Sequence, residues 1–250
     1  MAKNPPICHL ISSRLLDQYP AVRFAFSTRS GGISPEPLGM NLSFRVGDES
    51  RNVDENRRRF FSHLGFAPEE AAFPVQCHSN RAVVVSSPGS YEACDALLTN
   101  TPHVPLAVSV ADCLPLFLFD QRNHAIAAIH AGWRGTVASI TLEAVRIMGG
   151  EWGSDPSDLV AYLGPGADVC CYEIGPDVAG LFEPDLVELR EGKQFLNLKK
   201  ANVRQLKLSG LKEDNIEVCR SCTICRPDLF HSFRREKERS GRMMGTIVLA

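Results

Sequence analysis

His78, Cys113 and His130 are the residues whose chemistry stands out in this sequence. Each sits at the edge of an apolar run, where a strand would hand over to a loop, and active sites of α/β proteins gather at such edges. Imidazole nitrogen and thiolate sulfur are both good zinc ligands. Two histidines and one cysteine leave a fourth tetrahedral position open for water, the arrangement of a catalytic zinc. The pKa of such a water drops to about 7, which gives a nucleophile at neutral pH. The spacing, 35 residues from His78 to Cys113 and 17 more to His130, is not a compact ligand motif. Residue type therefore leaves a second chemistry open, with Cys113 as nucleophile and His130 as its base. It leaves the metal open as well, since His₂Cys with a weak axial Met is also a copper pattern.

Four more side chains are candidates for catalysis. Arg134 lies in the Gly-rich turn 131–135, just before a predicted helix, where backbone N–H groups and the helix dipole favour an anion. Arg29, in the loop that carries Gly31 and Gly32, could approach the same pocket. Asp95 and Glu173 are the carboxylates suited to general acid or base work. For Asp95 an N-cap or a loop hydrogen bond is the structural alternative. Asp112 would either orient a ligand histidine or face away from it, because neighbours on a strand alternate faces.

The elements that must position these residues are short. Strands are predicted at 22–28, on both sides of a 76–80 connection, and at 95–99, 106–110, 116–119, 125–129, 159–163, 216–218 and 243–249. Several are continuous apolar runs, which marks strands buried on both faces. Helices are predicted at 52–64, at 136–148 with Gly149 and Gly150 as its stop, and at 201–211; the polar stretch 177–200 also reads as helical. In the first of these, Arg57, Arg58 and Arg59 take one side, with Phe60, Phe61 and Leu64 free for the core. The expected fold is α/β (α+β): a single domain over 1–250 with a mixed sheet and layered helices.

Composition narrows the function. The 250 residues carry 27 basic and 29 acidic side chains, a balance that implies neither a nucleic-acid binder nor a polybasic membrane anchor. Arg234 and Arg235, interrupted by Glu236 and Glu238, read as a solvated helix face. The most apolar stretch, 104–119, contains Pro105, Asp112 and Pro115 and falls short of the roughly 20 residues a membrane span needs. Met1 to Leu10 shows no export signal, so the nine cysteines are read as reduced thiols of a cytoplasmic protein. Cys219, Cys222 and Cys225 invite a second metal site, with His231 or another residue as fourth ligand. Cys170 and Cys171 are read as small buried residues.

Local strings add to this. They are Phe-Ser-Thr-Arg-Ser-Gly-Gly-Ile-Ser at 26–34, Gln-Cys-His at 76–78, Asp-Ala-Leu-Leu-Thr at 95–99 and Ala-Asp-Cys-Leu-Pro at 111–115. His-Ala-Gly-Trp-Arg-Gly-Thr follows at 130–136, then Leu-Gly-Pro-Gly through Cys-Cys-Tyr-Glu-Ile-Gly at 163–175 and Phe-His-Ser-Phe-Arg-Arg at 230–235. In this order, from about residue 22 to the end, the chain resembles a bacterial family long described as laccase-like polyphenol oxidases and later as purine nucleoside phosphorylases. The resemblance implies metal ligands at His78, Cys113 and His130, with zinc as the usual metal and copper in the older oxidase reading. It implies purine nucleoside and phosphate as substrates, from adenosine, inosine or methylthioadenosine, and adenosine deamination as a further activity. Neither a nucleic-acid nor a membrane partner is expected, and the assembly state expected is a monomer or weak dimer. Cys77 and Cys94 are small departures from the family strings. With seven histidines and no His-x-His pair, the sequence lacks the ligands that a multicopper oxidase needs to reduce oxygen.

Overall fold

The computed structural model describes residues 9–250; Cys8 and most of the stretch read for an export signal lie outside them. Strands are numbered in chain order. In one six-stranded sheet β1 (Leu10–Ile11), β2 (Val22–Ser27), β15 (Met243–Leu249), β7 (Leu106–Val110), β3 (Ala72–Pro74) and β5 (Gly89–Tyr91) lie side by side in that order. A second sheet runs β14 (Ile216–Val218), β10 (Leu159–Leu163), β8 (Leu114–Asp120), β9 (Ala125–Ala131), β6 (Ala96–Thr99), β4 (Ala82–Val84). A small third sheet holds β11 (Glu173–Ile174), β13 (Lys193–Leu196) and β12 (Val187–Arg190).

A repeated crossing links the two large sheets. Strands β3, β5 and β7 run parallel in the first sheet. After each of them the chain crosses to β4, β6 or β8 of the second sheet. Strands β4 and β6 are parallel, and β6 and β8 are both antiparallel to β9, so all three crossings fall at one end of the two sheets.

The core explains why the strands read as unbroken apolar runs. Phe24, Phe26, Val108 and Ile247 of the first sheet meet Phe117, Phe119, Ile126 and Tyr162 of the second in one buried cluster. Phe24 packs edge-on against both Phe117 and Tyr162, with ring centroids 4.8 and 5.0 Å away, geometry that aromatic quadrupoles favour. The opposite face of the second sheet, with Leu116, Leu118 and Ile129, is covered by α3 (Ile140–Trp152) and α5 (Leu198–Leu208). The opposite face of the first, with Ala25, Ala107 and Met244, is covered by α1 (Ser50–Ser62) through Phe60 and Phe61. The result is four layers: helix, sheet, sheet, helices.

The structure is α/β with mixed strand directions and layered helices, as expected, but its strands are divided between two large sheets. Double-faced burial is legible in a sequence; which sheet provides each face is not. Three other expectations are corrected. Residues 177–200 are not one helix: α4 (Pro176–Ala179) is short, and β12 and β13 form a hairpin around Glu191 and Gly192, both at positive φ (50° and 76°). Two residues of that handedness make the turn that matches strand twist. The helix predicted at 136–148 is broken by Ser139 at φ 64° into α2 (Trp133–Val137) and α3. Gly149 and Gly150 do not stop α3, which ends at Trp152 on the left-handed Gly153.

Candidate metal centre

All three crossings deliver residues to one point. His78 lies in the first crossing, Asp95 ends the second and Cys113 ends the third. His130 joins them from β9, because hairpin register pairs it with Pro115, two residues past Cys113, and the neighbouring pair Ala96–Ile129 places Asp95 alongside it. The ligand atoms of His78, Cys113 and His130 lie within 4.8 Å of one another. Cys113 Sγ is 3.9 Å from His78 Nε2, and the two imidazoles meet edge-on at 4.9 Å between centroids.

Asp95 organises the group. It is fully buried and accepts hydrogen bonds from the N–H of His78 at 3.0 Å and of Ser79 at 2.6 Å, and from Ser79 Oγ at 2.8 Å. Its Oδ1 also lies 2.7 Å from His130 Nδ1, which turns His130 Nε2 toward Cys113 and His78. A carboxylate behind a ligand histidine fixes tautomer and ring orientation. The same carboxylate holds His78 in the left-handed region, at φ 62°, where a side chain is strained. Burial alone would raise the Asp95 pKa, but His130 and the Ser79 donors together drive it well below the carboxylate range.

The electrostatics suit a cation. Burial alone would raise the Cys113 thiol, yet His130 and His78 outweigh it and bring it to about 6, which favours thiolate. Burial alone would lower His130, but Cys113 and Asp95 raise it to about 9. Backbone space is reserved too: a Cβ at Gly132 would meet Cys113 Sγ at 3.1 Å and His78 Cδ2 at 3.2 Å. The donor set, its orientation and this space all fit one divalent ion.

The three residues open into a cavity of about 500 Å³ between the sheets and the 43–45 segment. Its wall includes Arg57, Arg242, Phe44, Phe73 and Phe233. Arg57 stacks on Phe44 and Phe73, its guanidinium carbon 4.5 and 4.7 Å from their centroids, and donates to Leu42 O at 2.8 Å. Burial lowers its pKa to about 10, which still leaves it charged at neutral pH. The segment that carries Phe44 is anchored by the buried Asn56, which donates to Asn41 O at 2.9 Å and Gly39 O at 3.1 Å. A larger cleft of about 850 Å³ beside Lys199 and Cys219 contains none of the three candidate ligands.

The structure separates the other candidates. Arg29 is not brought to the cavity: it pairs with Glu236 at 2.8 Å and donates to Pro227 O and Pro37 O. Arg134 is exposed on α2 and lies over Trp133, 4.3 Å from the ring centroid. Glu173 lines a separate cleft of about 230 Å³ with Tyr172 and Arg234, and bonds Lys193 at 3.0 Å. Asp112 faces away from both histidines and accepts from Thr223 Oγ1 at 2.6 Å, Ser232 Oγ at 3.0 Å and Arg234 N at 2.6 Å. Arg235 is no solvated face, since it donates to the carbonyls of Thr223, Ile224 and Phe230. Sequence reasoning missed Arg57 and Arg242. The signal for Arg57 was its place next to Asn56 and one turn before Phe60 and Phe61, on the inward side of α1.

Residues 23–250 match the family described as multi-copper polyphenol oxidoreductase laccase. The chain belongs to this family. Among its relatives, a purine nucleoside phosphorylase of Deinococcus radiodurans is 41% identical over 92% of this chain and 90% of its own length. A purine nucleoside phosphorylase of Bacteroides thetaiotaomicron is 33% identical over 94% of each. The crystal structure of the hypothetical protein YfiH of Bacillus licheniformis superposes with a TM-score of 0.90 at 29% identity, covering 100% of this chain and 98% of that one. YlmD of Geobacillus stearothermophilus gives 0.89 at 29% identity, covering 95% and 94%. Among the described residues, no helix of this laccase-family chain is long and apolar enough to cross a membrane.

Proposed function

We propose that this chain is a zinc-dependent purine nucleoside phosphorylase, with His78, Cys113 and His130 as its metal ligands. The observation that carries the reading is the convergence of that trio with the Arg57 and Arg242 guanidiniums on one aromatic-walled cavity. The names of relatives up to 41% identical support it. In the reaction the C1′–N bond of adenosine, inosine or methylthioadenosine breaks and a C1′–O bond to phosphate forms. The base departs with the glycosidic electron pair and takes up a proton.

Each group in the cavity has a physical task. Arg57 and Arg242 bind phosphate, and the guanidinium fork suits its oxygens. Phe44, Phe73 and Phe233 give a purine an apolar wall and shed water from it. Asp95 is a positioning residue, since it is fully buried behind His78 and His130 and its oxygens are taken up by their N–H groups and by Ser79. Arg29, held by Glu236, has a structural role; Arg134 and Glu173 lie outside this cavity and are assigned no step. A zinc ion, when bound, supplies Lewis-acid polarisation and a water nucleophile of the kind purine deamination needs, so adenosine deamination is proposed as a side activity.

Copper-dependent oxidation of phenols is the weaker reading. Among the described residues only one group combines histidine with cysteine; the other cluster is all cysteine. Product analysis decides. Purified protein with inosine and phosphate should release hypoxanthine and ribose 1-phosphate in equal amounts, and neither product without phosphate. Hypoxanthine with free ribose, or no product from any of the three nucleosides, would sink the proposal.

A further inference from the structure

We propose that Cys170, Cys171, Cys222 and Cys225 form a second metal site: a four-thiolate cage for one zinc-class ion that fastens the C-terminal segment to the loop after β10. The pair Cys170–Cys171 and the pair Cys222–Cys225 are separated by about 50 residues in sequence, yet all four sulfurs lie within 4.8 Å of one another. Cys225 Sγ is 3.1 Å from Cys171 Sγ and 3.4 Å from Cys170 Sγ. Zinc–sulfur bonds of about 2.3 Å in a tetrahedron put sulfurs about 3.8 Å apart, a spacing that falls between the 3.1 Å contact and the 4.8 Å limit of this group. The sulfurs converge on one point, so they suit a single ion and leave no room for a multi-iron cluster and its inorganic sulfides.

The membership differs from the sequence expectation. Cys219 is not in the group and packs against the core between the sheets; His231 is fully buried elsewhere. Cys170 is exposed and Cys171 half-buried, so they are not simply small core residues. Two sites, one closed by four thiolates and one of three ligands with an open position, correspond to the division between structural and catalytic zinc.

A second observation comes from the side chains that brace the cage. The buried Lys199 ammonium bridges the two cysteine-bearing loops, donating to Asp168 Oδ2 at 2.7 Å on one side and to Cys219 O at 2.8 Å and Ser221 O at 2.9 Å on the other. Arg235 holds the carbonyls of Thr223 and Ile224, and Arg190 reaches Val169 O. These contacts fix the two cysteine-bearing loops against each other, so the four sulfurs are held together by the surrounding structure.

The cage also reaches the first centre. A β-bridge joins Gly166 to Cys222, and Thr223 N donates to Gly166 O at 3.1 Å. Thr223 Oγ1 then holds Asp112, the residue before Cys113. The ion would thus lock the strut that sets the third crossing.

Metal counting on the full chain tests this. Protein purified without added metal should carry two divalent equivalents per chain, and a His78→Ala/Cys113→Ala variant should keep one. Cys222→Ser/Cys225→Ser should lose one equivalent and keep the other. If that variant does not fold, the His78→Ala/Cys113→Ala protein still decides: stripped and titrated with cobalt(II), it should give a thiolate-to-cobalt charge-transfer band. No metal and no such band in that variant would overturn the proposal. So would a disulfide among the four cysteines of the freshly purified wild-type protein, read from its intact mass before and after reduction.

Discussion

Asp95 is the most consequential residue outside the proposed metal trio, because one carboxylate sets both histidines. Asp95→Asn should lower metal affinity about 10–100-fold, the usual cost of losing a carboxylate behind a ligand histidine. Competition with a chromophoric chelator measures it, and unchanged affinity would remove Asp95 from its role. Arg57→Ala should raise KM for phosphate about ten- to hundredfold, the equivalent of about 1.5–3 kcal/mol for a charged hydrogen bond. It should leave metal content intact. The trio was legible as residue types at strand ends, and the family strings turned them into a set. The arginines were not: Arg29 and Arg134 lie in the Gly-rich strings that attract attention, whereas Arg57 sits in a run of three arginines that reads as solvent-facing. Only the packing of α1 against the first sheet reveals that Arg57 is turned inward.

At the scale of elements, the site is a product of three crossings between two sheets. The strands themselves were readable from apolar runs, and 106–110, 159–163, 216–218 and 243–249 fall where expected. The hairpin at 187–196 was not, because its Glu and Lys content favours helix while its alternation is only four residues long on each side. The spacing of 17 residues that looked unpromising between Cys113 and His130 is the length of the β8–β9 hairpin arms plus their turn. Gly132, where β9 gives way to α2, tests that geometry. Gly132→Ala would press a methyl group toward Cys113 Sγ and His78. The variant should keep the wild-type circular dichroism spectrum and lose most of its bound metal; full metal retention would show that Cys113 and His78 can yield to the added methyl group without losing the ion.

For the whole molecule, acid stability should depend on half-buried carboxylates held in ion pairs, Glu236 among them. Burial alone would raise Glu236, but His231, Arg235 and Arg29 outweigh it and hold the carboxyl at about 2, against an ordinary 4.5. A depressed carboxylate pKa contributes stability above the unfolded value and loses it as pH falls through the folded one. The urea midpoint should therefore decline from about pH 4.5 down toward pH 2, and Glu236→Gln should flatten that limb; an unchanged slope would contradict it. The layered α/β class was visible in the sequence, whereas the division into two sheets was not, since an apolar run records burial and not its neighbours. Under the proposed function, phosphorolysis would require the metal that His78, Cys113 and His130 would hold. Its most direct test is the rate of ribose 1-phosphate release from inosine and phosphate by metal-stripped protein, before and after zinc is restored. Stripped protein should give no release and recover with about one zinc bound at the His78, Cys113, His130 trio; undiminished release from fully stripped protein would rule out a metal-dependent reaction.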